Sequence, residues 1–181
     1  MIHKGWHSRG YLPHFDSPET IQFVAFRLAD SLPRAVVESL AKRPDSLAAI
    51  DGGLDGGHGT CWLRDPAVAD LAQSALLHFD GLRCRLLAWC IMPNHVHVVV
   101  EPGANHGVGA IVHSWKSFSA NHANRMLARS GPFWHRDYFD RYIRDEGHLA
   151  RTVDYVENNP VKAGLIPDAI KWQWSSRRLR P

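Results

Sequence analysis

The sequence predicts an α+β fold, an antiparallel sheet with helices packed on it, from three observations. Two β-prone runs, Cys84–Met92 and His95–Val100, are separated only by Pro93-Asn94, which suits a tight turn and makes the pair an antiparallel hairpin, expected at the centre of the sheet. Val108, Ile111, Val112, Trp115 and Phe118 recur at helical spacing and the pattern continues through Met126, which predicts a long amphipathic helix over about residues 107–129 with its Met and aromatics in the core. Strand and helix segments interleave without an internal repeat, so residues 1–181 read as a single domain.

The remaining elements follow in order. Thr20–Leu28 is rich in β-formers and reads as the first strand, and Pro33 suits the first position of a helix running to about Lys42. Asp51–Gly59 is rich in glycine but lacks the Gly-Lys-Ser/Thr ending that gives a phosphate loop its chemistry, so it is expected to be a mobile surface loop. Asp65-Pro66 is a cap and first residue for a helix with an apolar stripe of Val68, Leu71, Ala75 and Leu76, and Gly81 can stop it. Phe133–Ile143 reads as a further strand. Asp145-Glu146 open a helix expected to end before Pro160, because the residue preceding a proline resists the α conformation.

Composition narrows the class. The chain has 181 residues, 45% hydrophobic and 22% charged, enough to bury a core without disulfides. Its three cysteines, Cys61, Cys84 and Cys90, include no Cys-x-x-Cys pair, which argues against a thiolate zinc site and for reduced thiols in the cytoplasm. The start, Met-Ile-His-Lys-Gly-Trp-His, lacks the apolar stretch of a signal peptide, and no segment is long enough to span a bilayer. The net charge is only +3, but Lys171, Arg177, Arg178 and Arg180 crowd the tail (about 168–181) while Lys4 and Arg9 lie in the N-terminal segment (about 1–18). Basic ends of this kind suit a polyanion such as nucleic acid, and equally a solvated surface.

Chemistry concentrates in two places. In His95-Val96-His97-Val98-Val99-Val100, strand alternation puts both imidazoles on one face and Val96, Val98 and Val100 on the other, so the valines can be core and the histidines a pair of metal ligands, or simply hydrogen-bonded. On the helix from Asp145, Tyr155 and Asn159 are four residues apart and share a face, whereas Leu149, Val153 and Val156 form a separate apolar stripe. Two imidazoles and an amide oxygen leave coordination positions open, which suits Mg²⁺ or Mn²⁺ holding phosphate oxygens and water as well. The plain alternative is that Tyr155 covers the core and Asn159 precedes a turn.

The run Trp89-Cys90-Ile91-Met92-Pro93-Asn94-His95-Val96-His97, the run Tyr155-Val156-Glu157-Asn158-Asn159-Pro160-Val161-Lys162-Ala163-Gly164-Leu165 and the closing Trp172-Gln173-Trp174-Ser175-Ser176 together resemble the REP-associated tyrosine transposases. These are relatives of the single-tyrosine insertion-sequence transposases within the HUH (His-hydrophobic-His) nucleases. The likeness extends to Arg9-Gly10-Tyr11-Leu12-Pro13-His14-Phe15 and to Asp140–Asp145. It implies a ferredoxin-like core with the histidine pair on a central strand, a divalent metal on His95, His97 and Asn159, and Tyr155 as nucleophile. It also implies a single-stranded or hairpin DNA substrate made of palindromic repeats, cut and rejoined through a 5′-phosphotyrosine. Related insertion-sequence enzymes dimerise, whereas a monomer is expected of this branch.

Arg9, Lys116, Arg177 and Arg178 are candidate DNA contacts, and Trp134 and Tyr138 candidate stacking surfaces, each competing with an ordinary surface or core role. A histidine-triad hydrolase is excluded, because its third histidine would fall where Val99 stands. The remaining alternative to a transposase is a domesticated protein that grips hairpin DNA without cutting it.

Overall fold

The computed structural model describes residues 5–8, 13–17, 19–33, 35, 36, 39 and 46–180. A two-stranded ribbon, β1 (Gly5–Ser8) with β2 (Pro13–Asp16), precedes a four-stranded antiparallel sheet. That sheet contains β3 (Gln22–Arg27), β4 (Cys84–Ile91), β5 (His95–Pro102) and β6 (Phe139–Tyr142) in the order β4-β5-β3-β6. The crossover between β3 and β4 carries α1 (Ser46–Asp55) and α2 (Pro66–Leu77), α3 (Val108–Met126) joins β5 to β6, and α4 (Glu146–Lys162) follows the sheet. This is the β-α-β-β-α-β order of a ferredoxin-like core, as expected, with α4 added after it.

Alternation along β5 divides the sheet into two chemically different faces. Val96, Val98 and Val100 are fully buried with α2 and α3, against Val68, Leu76, Ile111, Val112 and Trp115. His97 lies opposite Ala25 and Cys90, on the face where α4 buries Val156 and packs Leu149 and Val153 over Phe23 and Ala88. A slip of one residue would drive both imidazoles into the valine core and move Val96, Val98 and Val100 to the face that α4 covers, so the pattern fixes the register.

Several sequence expectations change. Only β5 of the hairpin is central; β4 is a sheet edge, and the tail covers it. Ile91 N–H donates to Trp174 O at 2.8 Å, and the Trp172 indole donates to Ile91 O at 2.9 Å. The expected loop at Asp51–Gly59 is helical through Asp55 despite Gly52 and Gly53. Ile50 and Leu54 pack with Leu32, and the Asn94 side chain donates to Leu54 O at 3.0 Å and His58 O at 3.1 Å, so tertiary contacts outweigh weak helix propensity. Residues 135–138 leave the expected strand because side chains satisfy their backbone: Tyr138 N–H donates to Asp137 Oδ1 at 3.0 Å, and the Lys116 ammonium takes the carbonyls of His135, Arg136 and Asp137.

Helix α4 continues through Pro160 to Lys162. Proline forfeits one N–H, but its ring is buried, the Ala163 N–H donates to Asn159 O at 2.9 Å, and Gly164 at φ 69° ends the helix. Phe118 and Met126, expected in the core, are 47% and 51% exposed on the outer side of α3. The helix expected from Pro33 to Lys42 falls mostly outside the described residues. Among those described, no helix is long and apolar enough to cross a membrane.

Candidate active site

His95 and His97 are buried with their rings edge to face, centroids 4.6 Å apart. Asn94, in the turn before β5, orients the first. Its amide nitrogen is committed as a donor to two carbonyls, so its oxygen accepts the hydrogen bond at 2.8 Å from His95 Nδ1. That bond places the His95 proton on Nδ1 and leaves Nε2 with a lone pair pointing elsewhere. His97 stacks on Phe23, with centroids 5.5 Å apart.

Helix α4 brings Tyr155 to this pair, its ring edge-on to His97 at 5.8 Å and to Phe23 at 6.2 Å. One turn later Asn159 is fully buried. Among the described residues, His95 Nε2, both ring nitrogens of His97, and both side-chain polar atoms of Asn159 have no hydrogen-bond partner. Buried polar atoms without partners are costly, and the free lone pairs of these ring nitrogens and of the Asn159 amide oxygen are of the chemical kind that a cation takes. No three His, Cys, Asp or Glu side chains among the described residues are grouped to hold a metal.

Electrostatics fit that use. Burial, reinforced at His95 by the neighbouring His97, holds this imidazole well below the usual histidine range; burial also lowers His97, against the pull of Asp51. Both rings are therefore neutral near neutral pH, the form that ligates. Burial and the Asp51 and Asp55 carboxylates raise the Tyr155 phenol above its ordinary range, so it is fully protonated. The Lys162 ammonium lies 4.9 Å from the Tyr155 ring centroid.

Three residues of the site were not legible as functional in the sequence. Asp51, 1% exposed, accepts a short hydrogen bond from the Tyr155 hydroxyl. Asp55 has one oxygen 4.0 Å from His95 Nε2, and burial, with the Asp51 charge, raises its carboxyl to about 6. Asn94 looks like a turn residue until its two roles are seen together. The acids sit at positions i and i+4 of α1, a signal usable only if that stretch is known to be helical.

The other candidates lie elsewhere. Lys116 is on α3, across the sheet from Tyr155, bonded to three carbonyls at 2.8, 3.0 and 3.4 Å. Arg177 and Arg178 occupy the last short 3-10 turn, with Arg178 exposed. Arg9 lies outside the described residues. Trp134 and Tyr138 are core residues at 6% and 5% exposure, Trp134 donating to the Ser119 hydroxyl at 2.9 Å, so neither offers a face to bases.

Comparison with known proteins gives the family and the fold. The chain is 30% identical over 100 residues to a putative REP-associated tyrosine transposase of Haemophilus influenzae, covering 50% of this chain and 57% of that protein. It is 26% identical over 99 residues to an uncharacterised protein of the same organism, covering 42% of this chain and 54% of that protein. The matches thus span little more than half of these relatives. A REP-associated tyrosine transposase solved bound to a REP hairpin has the same fold, with a TM-score of 0.60 at 15% identity, covering 93% of this chain and 86% of that one. The model of the IS200-like transposases matches residues 67–159, just over half of the chain and including His95, His97, Tyr155 and Asn159; the chain belongs to that family, and it resembles the REP-associated tyrosine transposases within it.

Proposed function

We propose that the protein is a metal-dependent single-tyrosine DNA strand transferase that cuts and rejoins palindromic repeat DNA, presented as a hairpin or single strand, through a 5′-phosphotyrosine. The observation that carries this reading is the convergence of the Tyr155 phenol with two buried imidazoles, of which His95 Nε2 and both His97 nitrogens have no hydrogen-bond partner among the described residues. His95, His97 and Asn159 would hold a Mg²⁺ or Mn²⁺ ion. Bound there, such an ion supplies positive charge for the scissile phosphate and its leaving oxygen.

The chain's own residues account for the remaining steps. Tyr155 attacks phosphorus, the bond to the 3′ oxygen breaks, and DNA is left joined through its 5′ phosphate to the phenol oxygen with a free 3′-OH. Attack by a 3′-OH of another strand reverses these bonds and releases Tyr155, so the phosphodiester is conserved without a high-energy cofactor. The rigid β5 strand and the packed helix α4 hold the two halves of the site, which favours reaction in one orientation.

Hairpin DNA as substrate is supported by the REP-associated relative and by the fold shared with a hairpin-bound transposase. Arg9, Arg177 and Arg178 are proposed phosphate contacts. Lys116 is a fourth, although its carbonyl bonds compete for the same ammonium. The reading places the protein in the cytoplasm with its DNA and takes it as a monomer. Incubation with a labelled repeat hairpin and Mg²⁺, followed by denaturing electrophoresis, tests it: a covalent protein–DNA band that chelator abolishes is expected, and binding without any band would identify the non-cleaving alternative.

A further inference from the structure

We propose that Asp51 is a positioning residue for this reaction: its carboxylate holds the Tyr155 hydroxyl, and so aims the nucleophilic oxygen, from a helix that precedes the segment shared with the IS200-like family. The inference rests on the assignment of Tyr155 above and adds a residue to it.

Geometry carries the argument. Asp51 is 1% exposed, yet among the described residues Oδ2 has the Tyr155 hydroxyl as partner while Oδ1 is buried without one. A carboxylate removed from water for a purely architectural reason would be expected to satisfy both oxygens. Helix α1, which carries it, is tied to the metal side of the site by Asn94: one end of that side chain orients His95, and the other bonds Leu54 O at the end of α1. Thus a single turn residue links the helix whose Asp51 receives the phenol hydroxyl to the strand that carries the imidazoles.

The phenol oxygen lies on the axis of the ring, so its position follows the swing of the whole side chain, which meets Phe23 and His97 edge-on and the Lys162 ammonium at 4.9 Å from the ring centroid. In-line attack requires the oxygen within about 3–3.5 Å of phosphorus in the correct direction, and a misplacement of about 1 Å can cost on the order of 100-fold in rate. A hydrogen bond donated by the hydroxyl to a buried, fixed acceptor restricts that swing and so the position of the oxygen.

The test compares Asp51→Ala with Asp51→Asn, the latter keeping an acceptor oxygen in nearly the same volume. Covalent adduct formation at Tyr155 is measured in single turnover on a repeat hairpin, hairpin affinity by gel shift, and folding by thermal melting. Asp51→Ala is expected to form adduct roughly 10–100-fold more slowly with hairpin Kd within about twofold of wild type, and Asp51→Asn to recover most of the rate. A wild-type rate in Asp51→Ala, or equal losses in both variants with folding intact, overturns the positioning role. A wild type whose adduct is not at Tyr155 overturns the assignment of the nucleophile as well, so the two failures are distinguishable.

Discussion

The ring of Tyr155 stands edge-on to the imidazole of His97 at a centroid separation of 5.8 Å, although the two lie on different elements and 58 positions apart in the chain (155 − 97). That contact joins the two chemical signals of the sequence, and because both His97 nitrogens are buried without partners among the described residues, it predicts a measurable stability effect of metal. Added Mn²⁺ should raise the melting temperature of the wild type, by about 2.7 kcal/mol of stability at 100 times its Kd. His97→Ala should abolish most of that increment while still folding, and an equal Mn²⁺ shift in both proteins would mean that the cation binds elsewhere.

His14 predicts a pH dependence unrelated to the metal. It is fully buried between Asp137, at 3.0 Å, and Asp140. Burial alone would lower its basicity, but the hydrogen bonds and charges of both aspartates prevail and raise it from 6.5 to about 9. A folded value above the unfolded one means that the stabilisation is complete below about pH 6.5 and is lost as pH rises through about 9. His14→Gln should therefore cost about 3–5 kcal/mol near neutral pH, by leaving buried carboxylates uncompensated, and the gap to wild type should narrow toward about pH 10. A gap constant with pH, followed by denaturant melts, would show that His14 is not charged in the fold.

Helix α1 can be tested by a substitution that touches nothing. A Cβ at Gly52 would meet no atom within 4 Å. Gly52→Ala should then stabilise the protein by about 0.5–1 kcal/mol in urea unfolding, the ordinary gain of alanine over glycine inside a helix. No gain, or a loss, would return this stretch to the loop that its glycine content suggests.

Much of the molecule was legible because local and tertiary requirements agree. Alternation in His95–Val100 placed the histidines opposite Val96, Val98 and Val100, and Leu149, Val153 and Val156 pack α4 on the histidine face, with Tyr155 in the same cluster rather than on a separate side. Legibility failed where tertiary bonds overrule local preference. Gly52 and Gly53 hid α1, and with it Asp51 and Asp55, because the contacts that hold this helix come from Leu32 and Asn94. The end of the strand near Phe133 was misjudged for the same reason, since the competing partner of its carbonyls, Lys116, lies 19–21 residues away.

Binding and chemistry should separate in DNA titrations. A single strand carrying an imperfect hairpin should bind better than the corresponding perfect duplex, because the tyrosine needs an accessible phosphate and unpaired bases offer edges a duplex hides. Affinity should fall steeply with salt, and the paired change Arg177→Gln, Arg178→Gln should shallow the logarithmic slope by somewhat under about two. Lys116→Gln should shallow the slope by somewhat under about one more and also lower stability by about 1–3 kcal/mol, since it removes bonds to three carbonyls. Equal affinity for hairpin and duplex would indicate a general duplex binder.

The central claim is that the Tyr155 oxygen makes the bond to DNA. A repeat hairpin incubated with protein and Mg²⁺, digested and mapped by mass spectrometry, should carry its 5′ phosphate on the peptide containing Tyr155. Tyr155→Phe should lower adduct formation by at least about three orders of magnitude while hairpin affinity stays within about twofold, because the ring that packs on Phe23 and His97 is retained. An adduct that persists in Tyr155→Phe, mapping to Tyr138 or Tyr142, would contradict the account.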